Sequence, residues 1–313
     1  MEDARVKDLL DWYKVNLTED VFLGSGGRPI RYAIQQRKNS RGVVVVVSGR
    51  VEFLEKYIEL CRDLQDSGYS ICLFDHYGQG GSGRQLLDSQ KGHIDDFSLY
   101  VDDLYMLLSN QDIIDHSLPV VILSHSMGGT IGILLIAEYP QLVDGLVMVA
   151  PMLQINTGAL LPPLLVEAIS KIACALGRTK EYVLGGEPFN PDMPFENNEL
   201  TGDLTRFRRN LHFVQLNENL ALGGPTFGWL CQAYRAMREA RSQFNTLKCP
   251  ILLFQGQEDV VVGLKEMDLL CHCAKNCEMV RYPEGRHELL MERDTIRNPL
   301  LESIKGFLRQ VSG

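Results

Sequence analysis

Short apolar runs recur along the chain, and each ends where small or polar residues begin. The clearest run is Val43 to Val47, five consecutive valines, which is typical of a strand buried on both faces of a sheet. Comparable runs lie at Tyr69 to Phe74, Pro119 to Leu123, Leu146 to Ala150, Pro250 to Phe254 and Glu278 to Tyr282. Two more strands are predicted before the valines, at about 19–23 and 29–36, joined by the turn GSGGRP.

Stretches of helical character separate these apolar runs. They are predicted at 53–66, 96–109, 127–139, 263–273 and 295–311. Strands that alternate with helices form a mostly parallel sheet with helices on both faces, so the pattern indicates an α/β fold.

The alternation stops between residues 152 and 247. This segment contains Pro-rich, Gly-rich and aromatic stretches such as GGEPFNPDMPFENNE and GGPTFGWL, and it is too long for a simple loop. We therefore predict an inserted, mainly helical cap at 152–247 over one end of the sheet. The α/β core would then comprise residues 1–151 and 248–313.

The stretch VVILSHSMGGTIGILLIAEY is predicted to form a strand, a tight turn and a helix, with Ser126 at the turn. This is the context of a nucleophile elbow, in which a strained turn exposes a serine at the end of a strand. Small neighbours two residues to either side are needed there. Gly128 satisfies this on one side, and Ser124 stands on the other where glycine is usual.

A serine nucleophile needs a base and an acid that orients the base. In this fold they follow in the chain order serine, acid, histidine. His287 lies on a loop after the last predicted strand, whereas His272 falls inside a predicted helix, so His287 is the candidate base. The loop after the strand ILLFQ carries Glu258 and Asp259, and we predict Asp259 as the acid with Glu258 as the alternative.

Two backbone N–H groups are required to stabilise the oxyanion. The sequence predicts one from Met127, directly after the nucleophile, and one from Arg50, where Gly49 permits a close turn after the valine strand. The Arg50 side chain could contact a phosphate head group, or it could be solvated or paired with Glu52.

These motifs resemble the α/β-hydrolase superfamily, on its monoacylglycerol lipase and lysophospholipase branch. The stretch FDHYGQGGSGR is similar to the family's D-x-R-G-x-G-x-S loop, with Tyr77 in place of arginine. The stretch VVSGRVEFLEKY is similar to its H-G-x-x-E-x-x-x-x-Y segment, with Ser48 in place of histidine. Together with YVDDL and GGPTFGWL, they look most like bacterial lysophospholipases of the inner-membrane-associated type.

The resemblance implies an α/β-hydrolase fold with a catalytic triad of Ser126, Asp259 and His287. It implies a serine hydrolase that cleaves a fatty-acyl ester of a lysophospholipid or monoacylglycerol and needs no cofactor or metal. The leucines at the start of the cap are expected to line an acyl tunnel or, equally, to belong to the hydrophobic core; they are Leu160, Leu161, Leu164 and Leu165.

Three alternatives to the lipid esterase remain open at this stage. An aminopeptidase on the same scaffold would need a carboxylate in the cap that binds the substrate amine. Glu181, Glu187, Glu196 or Glu199 could supply it. A thioesterase or acyltransferase would use the same triad. A catalytically silent binding protein would have the fold without the reaction.

The net charge and the lack of a long apolar segment limit the classes of partner that the protein could bind. The formal net charge of −9 disfavours a nucleic-acid partner, because phosphate backbones are bound by basic surfaces. No secretory signal pattern opens the chain, and its most apolar stretch, 158–177, contains two prolines and two charges. We therefore expect a cytoplasmic protein without a spanning helix, which could touch the membrane peripherally through the cap.

Eight cysteines are present, and in a cytoplasmic protein we expect them to be reduced thiols. Cys271, His272, Cys273 and Cys277 could in principle hold zinc. However, positions 271 and 273 point apart on a helix, which favours ordinary thiols.

Overall fold

The apolar runs form one sheet of eight strands in the computed structural model, which describes residues 2–158 and 161–313. The strands are β1 (Thr18–Leu23), β2 (Pro29–Gln35), β3 (Val43–Val47), β4 (Ser70–Phe74), β5 (Val120–His125), β6 (Gly145–Val149), β7 (Ile251–Gly256) and β8 (Cys277–Tyr282). Their order across the sheet is β1-β2-β4-β3-β5-β6-β7-β8. Strands β1 and β2 pair antiparallel, β2 pairs antiparallel with β4, and every later pairing is parallel.

Helices cover both faces of the sheet. They are α1 (Glu2–Asn16), α2 (Ile58–Asp63), α3 (Ser98–Ser109), α4 (Met127–Glu138), α5 (Pro163–Ala175), α6 (Leu204–Leu216), α7 (Phe227–Gln243), α8 (Leu264–Cys273) and α9 (Asp294–Val311). The predicted α/β-hydrolase fold is confirmed by this arrangement together with the structural relatives described below. One predicted helix is shorter than expected, because 53–66 consists of α2 flanked by turns of 3-10 helix.

The valine run explains how the sheet is buried. Val43, Val45 and Val47 pack into the core beneath α3, α4 and α7, while Val44 and Val46 pack into the opposite core beneath α1, α2 and α9. Successive side chains of a strand point to opposite faces, so a strand with two covered faces needs apolar residues at every position.

The segment 152–247 contains α5, α6 and α7, connected by irregular chain and short 3-10 turns. Helix α7 packs against α4 of the core and against α5, while α6 contacts α1. The segment is therefore helical where it is regular. Its role as a separate cap with boundaries at 152 and 247 stays a prediction.

The expectation of eight reduced cysteines is wrong at one place, because Cys271 and Cys277 form a disulfide. Cys271 lies in the last turn of α8 and Cys277 begins β8, and the chain reverses between them so that their Cα atoms are 5.2 Å apart. This separation lies within the range that a disulfide bridges. The zinc alternative loses two of its ligands, since sulfurs bonded to each other cannot act as thiolates.

None of the helices within 2–158 and 161–313 is both long enough and apolar enough to span a bilayer.

Candidate active site

Ser126 occupies a strained turn at the carboxyl edge of the sheet. Strand β5 ends at His125 and α4 begins at Met127, leaving Ser126 between them with φ 49° and ψ −115°. Positive φ is rare for a residue with a Cβ atom and persists where the surroundings hold it. Gly128 is required by the close approach of α4 to β3, because a Cβ atom there would overlap the carbonyl oxygen of Val47.

Ser124 stands at the position where a second small residue was needed. It is fully buried, and its hydroxyl donates a hydrogen bond of 2.9 Å to the carbonyl of Val147 in β6. The one extra polar atom is therefore paired within the sheet, which explains how the turn accommodates serine in place of glycine.

The structure brings Ser126, His287 and Asp259 into one hydrogen-bonded row. The Ser126 hydroxyl lies 3.0 Å from Nε2 of His287, and Nδ1 of the same ring lies 2.7 Å from Oδ2 of Asp259. Asp259 follows β7 and His287 follows β8, so loops at the carboxyl ends of neighbouring parallel strands place them together. The arrangement has the geometry of a nucleophile, a base and an orienting acid.

The two rejected alternatives lie elsewhere. Glu258 is exposed next to Asp259, and no contact joins it to His287 in the described part of the chain. His272 is exposed on α8. Chain order therefore points to the histidine that lies beside Ser126, and Asp259, the preferred of the two carboxylates, is the one that contacts it.

The loop after β3 lies directly against the nucleophile. A Cβ atom on Gly49 would stand 3.2 Å from Cβ of Ser126 and 3.0 Å from Nδ1 of His125, so only glycine fits there without displacement. The backbone N–H groups of Arg50 and Met127 have no acceptor among the described residues. Met127 also begins α4, whose N-terminus favours negative charge. Both groups are thus available to bind an oxyanion.

A buried cluster of charges beneath this loop was missed by the sequence analysis. Oε2 of Glu52 accepts hydrogen bonds from the Gly49 N–H and from the Tyr57 hydroxyl, the latter at 2.7 Å, and lies 3.0 Å from Nδ1 of His125. Nζ of Lys56 lies 2.7 Å from Oε1 of Glu52 and 2.6 Å from Oε1 of Glu288. Glu52 therefore pairs with Lys56 and not with Arg50, which removes one of the three alternatives for Arg50.

The electrostatics of the cluster follow from its burial and its pairing. Burial alone would raise the pKa of Glu52, but the neighbouring His125 and Lys56 lower it well below its usual value. Burial alone would lower the pKa of His125, but the Glu52 carboxylate raises it. Nε2 of His125 in turn lies 3.2 Å from the carbonyl of His287. The cluster thus joins the Gly49 turn to the backbone of the candidate base. Its sequence signal was the Glu-x-x-x-Lys spacing in VEFLEK.

A cavity of about 620 Å³ opens at Ser126 and has the size typical of a small-molecule site. Its walls come from the sheet edge and from the inserted segment, and most of the lining side chains are apolar. Those from the inserted segment include Leu161, Val166, Ile169, Phe189, Phe207, Leu211 and Trp229.

The expectation for the leucines at the start of the cap is only partly met. Leu161 lines the cavity, but Leu164 and Leu165 are 81% and 46% exposed and are not among the described lining residues. The reason is that α5 begins at Pro163 and turns one face to the solvent, while Val166, Ile169 and Ser170 on the other face line the cavity. Leu160 lies outside the described residues.

The acids that an aminopeptidase would need do not reach this cavity. Glu181, Glu187, Glu196 and Glu199 are all exposed, and none of them is among the described lining residues. The two carboxylates that do line it, Glu52 and Glu288, are both paired with Lys56.

Comparisons with known proteins agree with this architecture. The family model described as serine aminopeptidase, S33, matches residues 38–294. Lysophospholipase L2 of Escherichia coli (strain K12) is 31% identical over 300 residues, covering 93% of this chain and 87% of that protein. Monoglyceride lipase of Mus musculus is 23% identical over 273 residues, covering 86% of this chain and 82% of that protein.

Among solved structures, a soluble variant of monoglyceride lipase from Saccharomyces cerevisiae, crystallised with a substrate analog, superimposes with a TM-score of 0.73. The match covers 95% of both chains at 17% sequence identity, so it bears on the fold alone. The family model spans 257 of the 313 residues, from the loop before the valine strand to the start of α9, and therefore includes every residue of the site described above. On the strength of that match, the chain belongs to the S33 serine aminopeptidase family of the α/β-hydrolases.

Proposed function

We propose that the protein is a serine hydrolase that cleaves the fatty-acyl ester of a lysophospholipid or a monoacylglycerol through an acyl-enzyme on Ser126. The single observation that carries the proposal is the row Ser126–His287–Asp259 at the mouth of a largely apolar cavity. The names of the relatives, lysophospholipase and monoglyceride lipase, support the class of substrate.

In the first half of the reaction, His287 accepts the proton of the Ser126 hydroxyl while the serine oxygen attacks the acyl carbonyl. The carbonyl oxygen becomes an oxyanion, which the N–H groups of Arg50 and Met127 stabilise. The histidine then delivers its proton to the leaving glycerol oxygen, and the ester bond breaks. Asp259 keeps the imidazole in the tautomer and orientation that both transfers need.

In the second half, His287 removes a proton from a water molecule that attacks the acyl-enzyme. The second oxyanion accepts hydrogen bonds from the same two N–H groups. Collapse of this tetrahedral intermediate, with return of the proton from His287 to the serine oxygen, releases the fatty acid and restores the serine hydroxyl. The apolar lining supplied by α5 and α6 holds the acyl chain, since transfer of each methylene from water stabilises the complex by about 0.8 kcal/mol.

An ester fits the site better than an aminoacyl amide. A free substrate amine would need a carboxylate with no other partner, and both carboxylates in the lining are paired with Lys56. The acyl end of the cavity is apolar instead. We therefore place the aminopeptidase reaction second. A thioesterase or acyltransferase would use the same acyl-enzyme, and hydrolysis of ester and thioester substrates distinguishes the thioesterase.

We also propose that the outer face of α5 meets the lipid surface that holds the substrate. Leu164 and Ile172 on this helix and Leu176 directly after it are 81%, 61% and 73% exposed. Apolar side chains in such a row on one helix are typical of peripheral membrane contact. The opposite face of the same helix lines the cavity, so a lipid could pass from the surface to Ser126 over a short distance.

The test is the substitution Ser126→Ala, with Ser124→Ala as the matched control. Loss of the nucleophile should lower kcat on a lysophospholipid and on a monoacylglycerol by roughly a millionfold and abolish labelling by a fluorophosphonate. Ser124→Ala removes only the hydrogen bond to Val147 and should keep labelling and most of the activity. An active Ser126→Ala, together with an inactive Ser124→Ala, would refute the assignment. Hydrolysis confined to acyl thioesters would refute the ester substrate.

A further inference from the structure

The side chain of Arg50 lies in the wall of the cavity without a carboxylate partner. Its Nη1 donates a hydrogen bond of 2.8 Å to the carbonyl of Gly223, and its guanidinium carbon lies 5.5 Å from the ring centroid of Trp229. Among the described residues it forms no ion pair and no further hydrogen bond. The side chain therefore crosses from the loop after β3 to the inserted segment, and only neutral groups hold it there.

The other charged groups in the lining do not supply a counterion. Glu52 and Glu288 share the ammonium group of Lys56, and Glu52 also faces His125. Both carboxylates are thus already engaged inside their own cluster. Arg50 is left as the one cation of the described cavity wall that has no anion beside it.

Holding this charge has a cost in free energy. Burial lowers the pKa of Arg50 to about 10, so the guanidinium is still protonated at neutral pH. A partly buried cation whose desolvation is not repaid by an anion is stabilised when a bound anion supplies the missing partner.

The contacts of the guanidinium leave one particular edge open. Nη1 donates its hydrogen bond to the carbonyl of Gly223. Nε and Nη2, which lie side by side, have no acceptor in the described part of the chain. Two parallel N–H groups on one planar edge match two oxygens of a phosphate and can donate to both. Trp229 beneath the plane limits the orientations that the guanidinium can adopt.

We propose that Arg50 binds the phosphate of a lysophospholipid and makes the enzyme prefer acylglycerols that carry a phosphate over those that do not. The inference rests on the proposed function. The backbone N–H of Arg50 is a proposed oxyanion donor, so the guanidinium is tethered one side-chain length from the acyl carbonyl. In a lysophospholipid the phosphate is likewise a few bonds from that carbonyl, on the glycerol side. One residue would thus hold the reacting oxygen by its backbone and the head group by its side chain.

The experiment compares two substrates with the same acyl chain, a 1-acyl lysophosphatidylglycerol and the corresponding 1-monoacylglycerol, both as monomers in solution. In Arg50→Met, kcat/KM for the lysophospholipid should fall roughly tenfold to a hundredfold, the range for one charge-assisted contact. The ratio of kcat/KM for the lysophospholipid to kcat/KM for the monoacylglycerol should therefore fall by about tenfold or more, because Met keeps the backbone donor and much of the stem and removes only the group that meets the phosphate. Arg50→Lys keeps a positive charge but lacks the two parallel N–H groups, so its kcat/KM for the lysophospholipid should lie between the values of the wild type and Arg50→Met.

Arg178→Met is the matched control, since Arg178 is an exposed arginine of the inserted segment that pairs with Glu181 away from the cavity. It should leave both kcat/KM values unchanged.

The rate of Ser126 labelling by an uncharged alkyl fluorophosphonate monitors the oxyanion loop without a head group. An equal fall on both substrates with slower labelling would overturn the proposal, because Arg50 would then only shape the loop. Unchanged values on both substrates would overturn it too. If Arg50→Met does not fold, Arg50→Lys decides in the same way, through the ratio of the two values. A wild-type protein that cleaves neither substrate would instead contradict the proposed function itself.

Discussion

At the scale of single residues, Asp259 shows how a carboxylate is oriented for one task. Its Oδ2 faces Nδ1 of His287, while Oδ1 accepts hydrogen bonds from the N–H groups of Val261 and Val262 at 2.8 and 3.2 Å. Both oxygens are thus occupied, and the side chain is buried. Glu258 is one residue away on the same loop but faces the solvent.

We therefore expect Asp259→Asn to lower kcat by about ten-thousandfold with little change in the free energy of unfolding. The amide preserves the shape but favours the wrong tautomer of His287. Glu258→Gln is the matched control and should leave kcat nearly unchanged, because its carboxylate has no contact with the histidine. Steady-state hydrolysis and urea denaturation of the two variants would measure both quantities. The opposite ranking would transfer the orienting role to Glu258.

Chain order in the sequence restricted the base to His287 but left two adjacent carboxylates for the acid. Only the turn after β7 decides between them, since it points one side chain inward and the next outward. Within the cluster around Glu52, only the pair of Glu52 and Lys56 had a signal in the sequence, because the two residues are four apart. Glu288 is far along the chain from Lys56, and nothing in the pattern of either segment indicates that the two side chains meet.

At the scale of elements, strands were predicted well wherever both faces are covered. The valine run is the clearest case, because burial on both sides leaves no polar position to obscure the pattern. Helix α1 was not assigned. Its apolar contacts are few, with Val6, Leu9 and Tyr13 buried and most of its other side chains exposed, so charged residues dominate its sequence.

The connection from α8 to β8 is where the prediction of reduced cysteines is wrong, because it holds the Cys271–Cys277 disulfide. Cysteine spacing alone does not tell whether two thiols approach each other. Cys273 lies nearer to Cys271 in the chain, yet it points to the solvent, and Cys277 is brought back to Cys271 by the turn that begins β8. Positions 271 and 273 do point apart on the helix, but helical spacing does not apply to Cys277, which lies beyond the turn.

We expect Cys277→Ser to lower the free energy of unfolding by about 2 kcal/mol, the loop-closure entropy of so short a ring. Activity should be retained, because the disulfide lies outside the cavity lining. Cys273→Ser, at an exposed free thiol, is the control and should have no effect. Urea denaturation with and without a thiol reductant gives the measurement. If reductant destabilises the wild type and Cys277→Ser equally, the disulfide makes no contribution.

At the scale of the whole molecule, buried ion pairs attach the inserted segment to the core. Arg206 of α6 meets Glu59 of α2 through two N–H groups, with N–O distances of 2.8 and 2.9 Å. Arg209 of the same helix approaches Glu59 at 2.6 Å, and Arg297 of α9 lies 3.9 Å from it. One carboxylate thus joins three helices that are distant in sequence, and α6 also lines the cavity.

We expect Glu59→Gln to lower the free energy of unfolding at pH 7 by about 3 kcal/mol, because it removes the carboxylate that pairs with the buried Arg209. Arg206 and Arg297 keep other carboxylate partners, which limits the loss. Glu302→Gln is the matched control. It removes an exposed carboxylate of α9 that pairs with Lys305, and such surface pairs contribute about 1 kcal/mol or less.

The pH dependence of this effect has a definite sign. Burial alone would raise the pKa of Glu59, but Arg206, Arg209 and Arg297 lower it well below its usual value. A carboxyl whose pKa is lower in the folded state stabilises that state above the unfolded pKa, about 4.3 for glutamate. This contribution is lost as the pH falls through the folded pKa. The difference in unfolding free energy between wild type and Glu59→Gln should therefore be full at pH 7 and shrink below about pH 4. Urea denaturation at both pH values measures it, and a difference that is the same at pH 7 and pH 3 would show that Glu59 acts through packing and not through its charge.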